Sequence, residues 1–389
     1  MLQRTAPASA LLRSFQVAPV WFLAAMISAG SAPFALPLLA IGVAWSAWRG
    51  DLDLAGHFDA LEWGGIVFIA AWALALAIGI DPLQSLRLSI PLLVAATCLF
   101  TLRRQREPAA AVAAFDAALF LLAFWQCLQL VRPLLAGLGG EAAIRAADAL
   151  WLVEPNDIAW KACAWPPLLA WRLERTARVL IFVPIILALL LMIALGSRLA
   201  LITAVLALAP MLESAPRRTL GVAAGLAAVL MLAALCIDPA IFAKGSTSLA
   251  SRWQLWSAAA KLFVDYPWAG AGPFGFPLGY LRYLPESIAI DTRATPWPHS
   301  LPLEVAAGMG LIGIAAAALL LVAVVVQYRG ARPAAADRRV IAVQCTVFAM
   351  LALFEASFLR LWVWMLAVSI LCRLPRIAAA RSSIGEQQS

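Results

Sequence analysis

Two histidines occur in the 389 residues. One of them, His299, stands where a long polar excursion re-enters an apolar run, in Trp297-Pro-His-Ser-Leu-Pro-Leu-Glu-Val-Ala-Ala-Gly-Met-Gly-Leu-Ile-Gly313. Ser300 is predicted to cap a helix with Pro302 in its first turn, where a missing N–H costs nothing. His299 then lies just outside the helix mouth. An imidazole titrates near neutrality, so at that point it can take a proton from a hydroxyl while the positive end of the helix dipole faces the same space. Glu304, one turn further, can orient His299, act as a second base, or satisfy the helix start.

Cations are the second chemical ingredient. Arg198 separates two apolar runs across Gly196-Ser197-Arg198 and is either a snorkelling interfacial arginine or an anion clamp at a membrane-facing pocket. Ser251–Val264 carries Trp253, Trp256, Ala260 and Phe263 at 3–4 spacing. This predicts an amphipathic helix lying on the membrane or capping the bundle. Arg252 falls in its first turn, where the helix dipole opposes a cation, so an anion is expected there unless Arg252 only touches lipid headgroups. Asn156 and Asp157, in the Glu154-Pro-Asn-Asp-Ile turn, are candidate site-shaping residues. The glycines and prolines of Asp265–Pro277 rule out regular structure and suit close backbone approach. His57 reads as solvated, and Glu355 and Arg360, flanking the last turn-around, as partners of each other. The six cysteines lie singly in or beside apolar runs, without metal spacing, and no acidic cluster forms a metal cage.

The elements that must position these residues follow from composition. At 64% apolar and 13% charged, with a mean hydropathy of +0.89, the chain exceeds what a soluble core can hide, since globular domains are about 45–50% apolar and about 25% charged. It is predicted to be all-α, a polytopic integral membrane helical bundle. The net charge of +8 is assigned to anionic lipid and the positive-inside rule, and not to nucleic acid. The apolar runs are 15–30, 33–48, 63–80, 86–102, 111–131, 158–171, 179–195, 199–212, 220–237, 301–327, 340–356 and 358–373. They predict about 12 transmembrane helices, with 158–171 and 199–212 short enough to be broken or re-entrant. The organisation expected is nine helices over 1–237, a loop with the amphipathic helix over 238–300, three helices over 301–373, and a tail over 374–389.

Short basic loops recur after even numbers of helices: Arg49; Arg103, Arg104 and Arg106; Arg172, Arg175 and Arg178; Arg217 and Arg218; Arg329, Arg332, Arg338 and Arg339. Both termini are therefore expected in the cytoplasm and the 238–300 loop outside it. His299, Arg198, Arg252 and the Asn156 turn then share the outer face, where nucleotide-activated donors are absent.

His299-Ser300, nine residues, then Gly310-Leu-Ile-Gly313 resembles the signature of bacterial O-antigen ligases, within the O-antigen ligase and polymerase superfamily. Serine stands where asparagine is more usual. Glu154–Ala159 is similar to the family's Pro-Asn turn, Gly196-Ser-Arg198 to its arginine-containing helix break, and Arg252 through Gly272 to its arginine-tryptophan helix and glycine turn. The resemblance implies transfer of a glycan from undecaprenyl pyrophosphate to a lipid A-core hydroxyl at the periplasmic face of the bacterial inner membrane, with no cofactor or metal. It implies His299 as base and Arg198 and Arg252 as the donor pyrophosphate clamp. An O-antigen polymerase with a second lipid-linked glycan as acceptor is the nearer alternative. A transporter or flippase is the more distant one.

Overall fold

The computed structural model describes residues 35–147, 155–170, 175–212, 245–283, 297–355, 357–374 and 376. Its helices are α1 (Ala35–Trp48), α2 (Ala60–Ile78), α3 (Pro82–Leu88), α4 (Ile90–Arg103), α5 (Pro108–Leu135), α6 (Gly140–Ala147), α7 (Pro166–Ala170), α8 (Arg175–Ala194), α9 (Arg198–Leu212), α10 (Gly245–Asp265), α11 (Gly275–Gly279), α12 (Leu301–Ala331), α13 (Ala335–Phe354) and α14 (Leu361–Leu371). Short 3₁₀ turns occupy Pro155–Cys163 and Tyr280–Tyr283. Among the described residues β pairing is confined to one isolated bridge, Leu52 with Gln105. The all-α expectation holds.

Three described helices, α2, α5 and α12, are long and apolar enough to cross a membrane, and a fourth span results if α3 and α4, bent by 45°, count as one. Shorter apolar helices cover α1, α14 and parts of α8 and α9. The expected runs 15–30 and 220–237 lie outside the described residues. Run 158–171 is broken into a 3₁₀ turn and the five-residue α7, as Pro166 and Pro167 require.

The chain divides into two compact units, Met1–Leu23 with Ala109–Ser248 and Ala334–Leu351, and Ala24–Pro108 with Leu249–Pro333 and Ala352–Ser389. In the second, α2 runs antiparallel to α12, with Gly64 against Leu320 and Ala323 and Gly79 against Gly272, beside the α12 start. Asp59 begins α2 with a capping box, its side chain accepting from the Glu62 N–H while Glu62 accepts from the Asp59 N–H. Glu62 also receives the Arg104 fork at 2.9 and 3.1 Å. That guanidinium lies over the rings of Phe58 and Phe100 at 4.6 and 4.7 Å. Arg103 pairs with Asp59 and donates to the carbonyls of Leu371 and Leu374. Arg376, 2.6 Å from Asp53, holds that carboxyl below its usual range. Arg103 and Arg104 are thus buried and paired, unlike the loop charges expected from sequence. His57 is exposed, as expected.

In the first unit the 3₁₀ turn at Pro155–Cys163 packs on α8 and α9. Lys161, fully buried, donates to Gln126 of α5 at 2.6 Å and lies 4.6 Å from the Trp160 ring centre. A cation held this far from solvent requires such partners.

Candidate active site

The floor of the site is backbone packed on backbone. After α10 the chain turns through Ala269-Gly-Ala-Gly272 and lies against the first turns of α12. Gly270 has φ +73°, and a Cβ there would fall 2.2 Å from the Gly308 carbonyl carbon. Gly310 (φ 61°, ψ −156°) breaks α12 in a conformation essentially reserved for glycine; a Cβ on it would lie 2.5 Å from the Trp268 carbonyl. The N–H groups of Leu311 and Ile312 donate to Pro267 and Trp268 at 2.8 and 3.0 Å, and that of Ala271 donates to Ala307 at 2.8 Å. The turn therefore satisfies backbone groups that the break frees. The helix start carrying His299 is aimed independently of the rest of α12.

Above this floor, α10 buries Leu255, Ala258, Ala259 and Leu262 against Ala271, Phe276, Tyr280 and Ala307. The buried stripe differs from the expected one: Trp253 and Ala260 are exposed. Small residues face the glycine turn because only they allow the helix to approach it. α10 also starts at Gly245, so Arg252 lies beyond its first two turns and the helix-dipole argument for an anion there does not hold.

His299 is buried and left-handed, at φ 53°. It precedes Ser300, which occupies the N-cap position with Pro302 in the first turn but makes no side-chain capping bond. The His299 Nδ1 lies 3.1 Å from Oε1 of Glu355, whose Oε2 receives Arg252 Nη2 at 2.7 Å. Paired with Arg252, the Glu355 carboxylate is an acceptor, which assigns the proton of a neutral His299 to Nδ1 and leaves the lone pair on Nε2. One carboxylate thus orients an imidazole and holds a guanidinium. Trp297 donates from Nε1 to the Glu355 carbonyl at 3.3 Å and sets its ring 4.9 Å from that of His299. Arg360 lies over the Trp297 ring with Cζ 3.8 Å from its centre.

Glu304 serves the neighbouring turn. Its Oε1 accepts from the Ser357 hydroxyl at 2.9 Å and its Oε2 from the Phe358 N–H at 3.0 Å. It ties the α12 start to the segment after α13, and Glu355 fills the orienting role that Glu304 was offered.

Arg198, Asn156 and Asp157 belong to the first unit. Helix α8 ends with Gly196 at φ +68°, its N–H donating to Ile193 and that of Ser197 donating to Met192. This is a Schellman ending. Ser197 at once begins α9, its hydroxyl accepting from the Ala200 N–H at 3.3 Å and donating to Asn156 Oδ1 at 2.7 Å. Half-buried Arg198 is therefore the first-turn cation, and Asn156 is fastened to the break that presents it. Asp157 is buried beside Asn156.

Glu355, Trp297 and Arg360 were not read as site residues from sequence. The available signal was a glutamate within the apolar run 340–356, since a buried acid among membrane helices needs a partner. Among the described residues no group of three or more His, Cys, Asp or Glu side chains is placed to hold a metal.

The chain is a helical membrane protein in which buried His299 and Glu355 and half-buried Arg252 cluster beside a glycine-locked helix break. Residues 183–318 match the family model described as O-antigen ligase. The matched span holds Arg198, Arg252, His299, Glu304 and both glycines of the Gly310/Gly313 pair, while Asn156, Asp157, Glu355 and Arg360 fall outside it. No curated protein matches the chain.

Proposed function

We propose that the protein transfers an O-antigen glycan from undecaprenyl pyrophosphate to a sugar hydroxyl of lipid A-core, at the periplasmic face of the bacterial inner membrane. The observation that carries this reading is the Glu355 carboxylate shared between His299 and Arg252. The acceptor oxygen attacks the anomeric carbon as the bond from that carbon to the pyrophosphate oxygen breaks. The hydroxyl proton passes to Nε2 of His299, while Glu355 on Nδ1 stabilises the imidazolium that forms. The electron pair leaves on undecaprenyl pyrophosphate. Its charge is met by the guanidinium fork of Arg252, whose planar donors suit phosphate oxygens. Arg252 reaches the phosphate by exchanging its Glu355 contact, which couples donor binding to the orientation of the base.

The test is purified protein given lipid-linked glycan with and without lipid A-core. Glycan appearing on lipid A-core is the expected result. Longer lipid-linked chains formed without that acceptor identify a polymerase. Glycan moved between leaflets with no new bond identifies a flippase.

A further inference from the structure

Arg360 is the N-cap residue of α14, makes no side-chain capping bond, and is 5% exposed. Burial of a guanidinium is costly, and the helix dipole opposes a cation at this end. Its charge acts on Glu304, whose oxygens already accept from Ser357 and Phe358. A counter-charge for Glu304 would need no aromatic shelf. The structure nonetheless places the guanidinium over Trp297, with Cζ 3.8 Å from the ring centre, and the same indole meets the His299 ring at 4.9 Å. Stacking uses the face of a guanidinium, while its donors point outward in the plane, the geometry that grips two oxygens of one phosphate. The indole also fixes the long side chain, lowering the ordering cost of each contact the fork makes.

We propose that Arg360, held on Trp297, is a further cation for the donor's phosphate oxygens, acting beside Arg252 and His299. This rests on the reading of the site as a transferase for a pyrophosphate-linked glycan. It gives the second unit two guanidiniums of its own for the leaving group.

The experiment uses the full chain in nanodiscs with undecaprenyl pyrophosphate as probe, read as the ligand-dependent rise in melting temperature, so that only folded protein reports. Arg360→Lys keeps the charge facing Glu304 and loses the fork. Its affinity is expected to fall at least about tenfold, the scale of one charge-assisted contact, with the ligand-free melting temperature retained. Wild-type affinity in this variant overturns the inference alone and leaves Arg360 as a counter-charge. Failure of the unmodified protein to bind the probe removes the functional reading and this inference with it. If the lysine variant does not fold, Trp297→Leu removes the shelf and keeps the arginine. Several-fold weaker binding supports the proposal, and unchanged binding overturns it.

Discussion

His299 adopts φ 53°, a conformation that costs a non-glycine residue about 1–3 kcal/mol and persists only where the surroundings over-determine it. Here the buried Glu355 contact and the Trp297 ring do so. Asparagine also tolerates the left-handed region, so His299→Asn is expected to remain folded, with a melting temperature lowered only by the lost imidazole contacts, while transfer falls about 10²–10⁴-fold. Wild-type turnover in the stable variant would remove His299 from the chemistry. Its position at a helix mouth was legible from Ser300 and Pro302. Glu355 was not, because it comes 56 residues later in the chain with no periodic or motif relation to His299, and only the fold brings the two within 3.1 Å. Arg252 was found for a reason that does not hold: the dipole argument assumed a helix start near Ser251, and α10 begins at Gly245.

The glycine turn and the α12 break are one element made from two distant segments. Either half alone reads as a loop signal; paired, Gly270 and Gly310 let two backbones touch. Gly310→Ala adds both a strained φ and a Cβ 2.5 Å from the Trp268 carbonyl, so a loss of more than about 3 kcal/mol is expected. Gly65→Ala serves as the control, since nothing lies within 4 Å of its added methyl group and alanine is the better helix former by about 1 kcal/mol. Thermal unfolding of the two variants in the same detergent checks the contrast. Similar melting points would mean that the lock does not set stability. Most helix boundaries were legible because hydropathy alone marks them. The packing face of α10 was not, since counting aromatics at 3–4 spacing favours Trp253 over the small Ala258 and Ala259 that the close approach requires.

Across the whole molecule, polar groups of the second unit collect at opposite ends of the α2/α12 pair, Arg103 and Arg104 at one and His299 with Arg252 at the other. The orientation expected from basic loops places the His299 end outside the cytoplasm. In a cysteine-free background, Ser251→Cys should react with an impermeant maleimide from the periplasmic side and Arg338→Cys only from the cytoplasmic side. The reverse pattern would invert the topology. Helix α2 joins the two ends directly, from the Asp59 capping box in the arginine cluster to Gly79 against the glycine turn. Its 19 residues rise about 28 Å, close to the roughly 30 Å of hydrocarbon in a bilayer. Clamped at both ends, this helix cannot slide or fray to suit another thickness. A thicker or thinner membrane must therefore be met by tilt of the whole unit or by deformation of the lipid around it, and the height of His299 above the bilayer becomes a property of the lipid as well as of the protein.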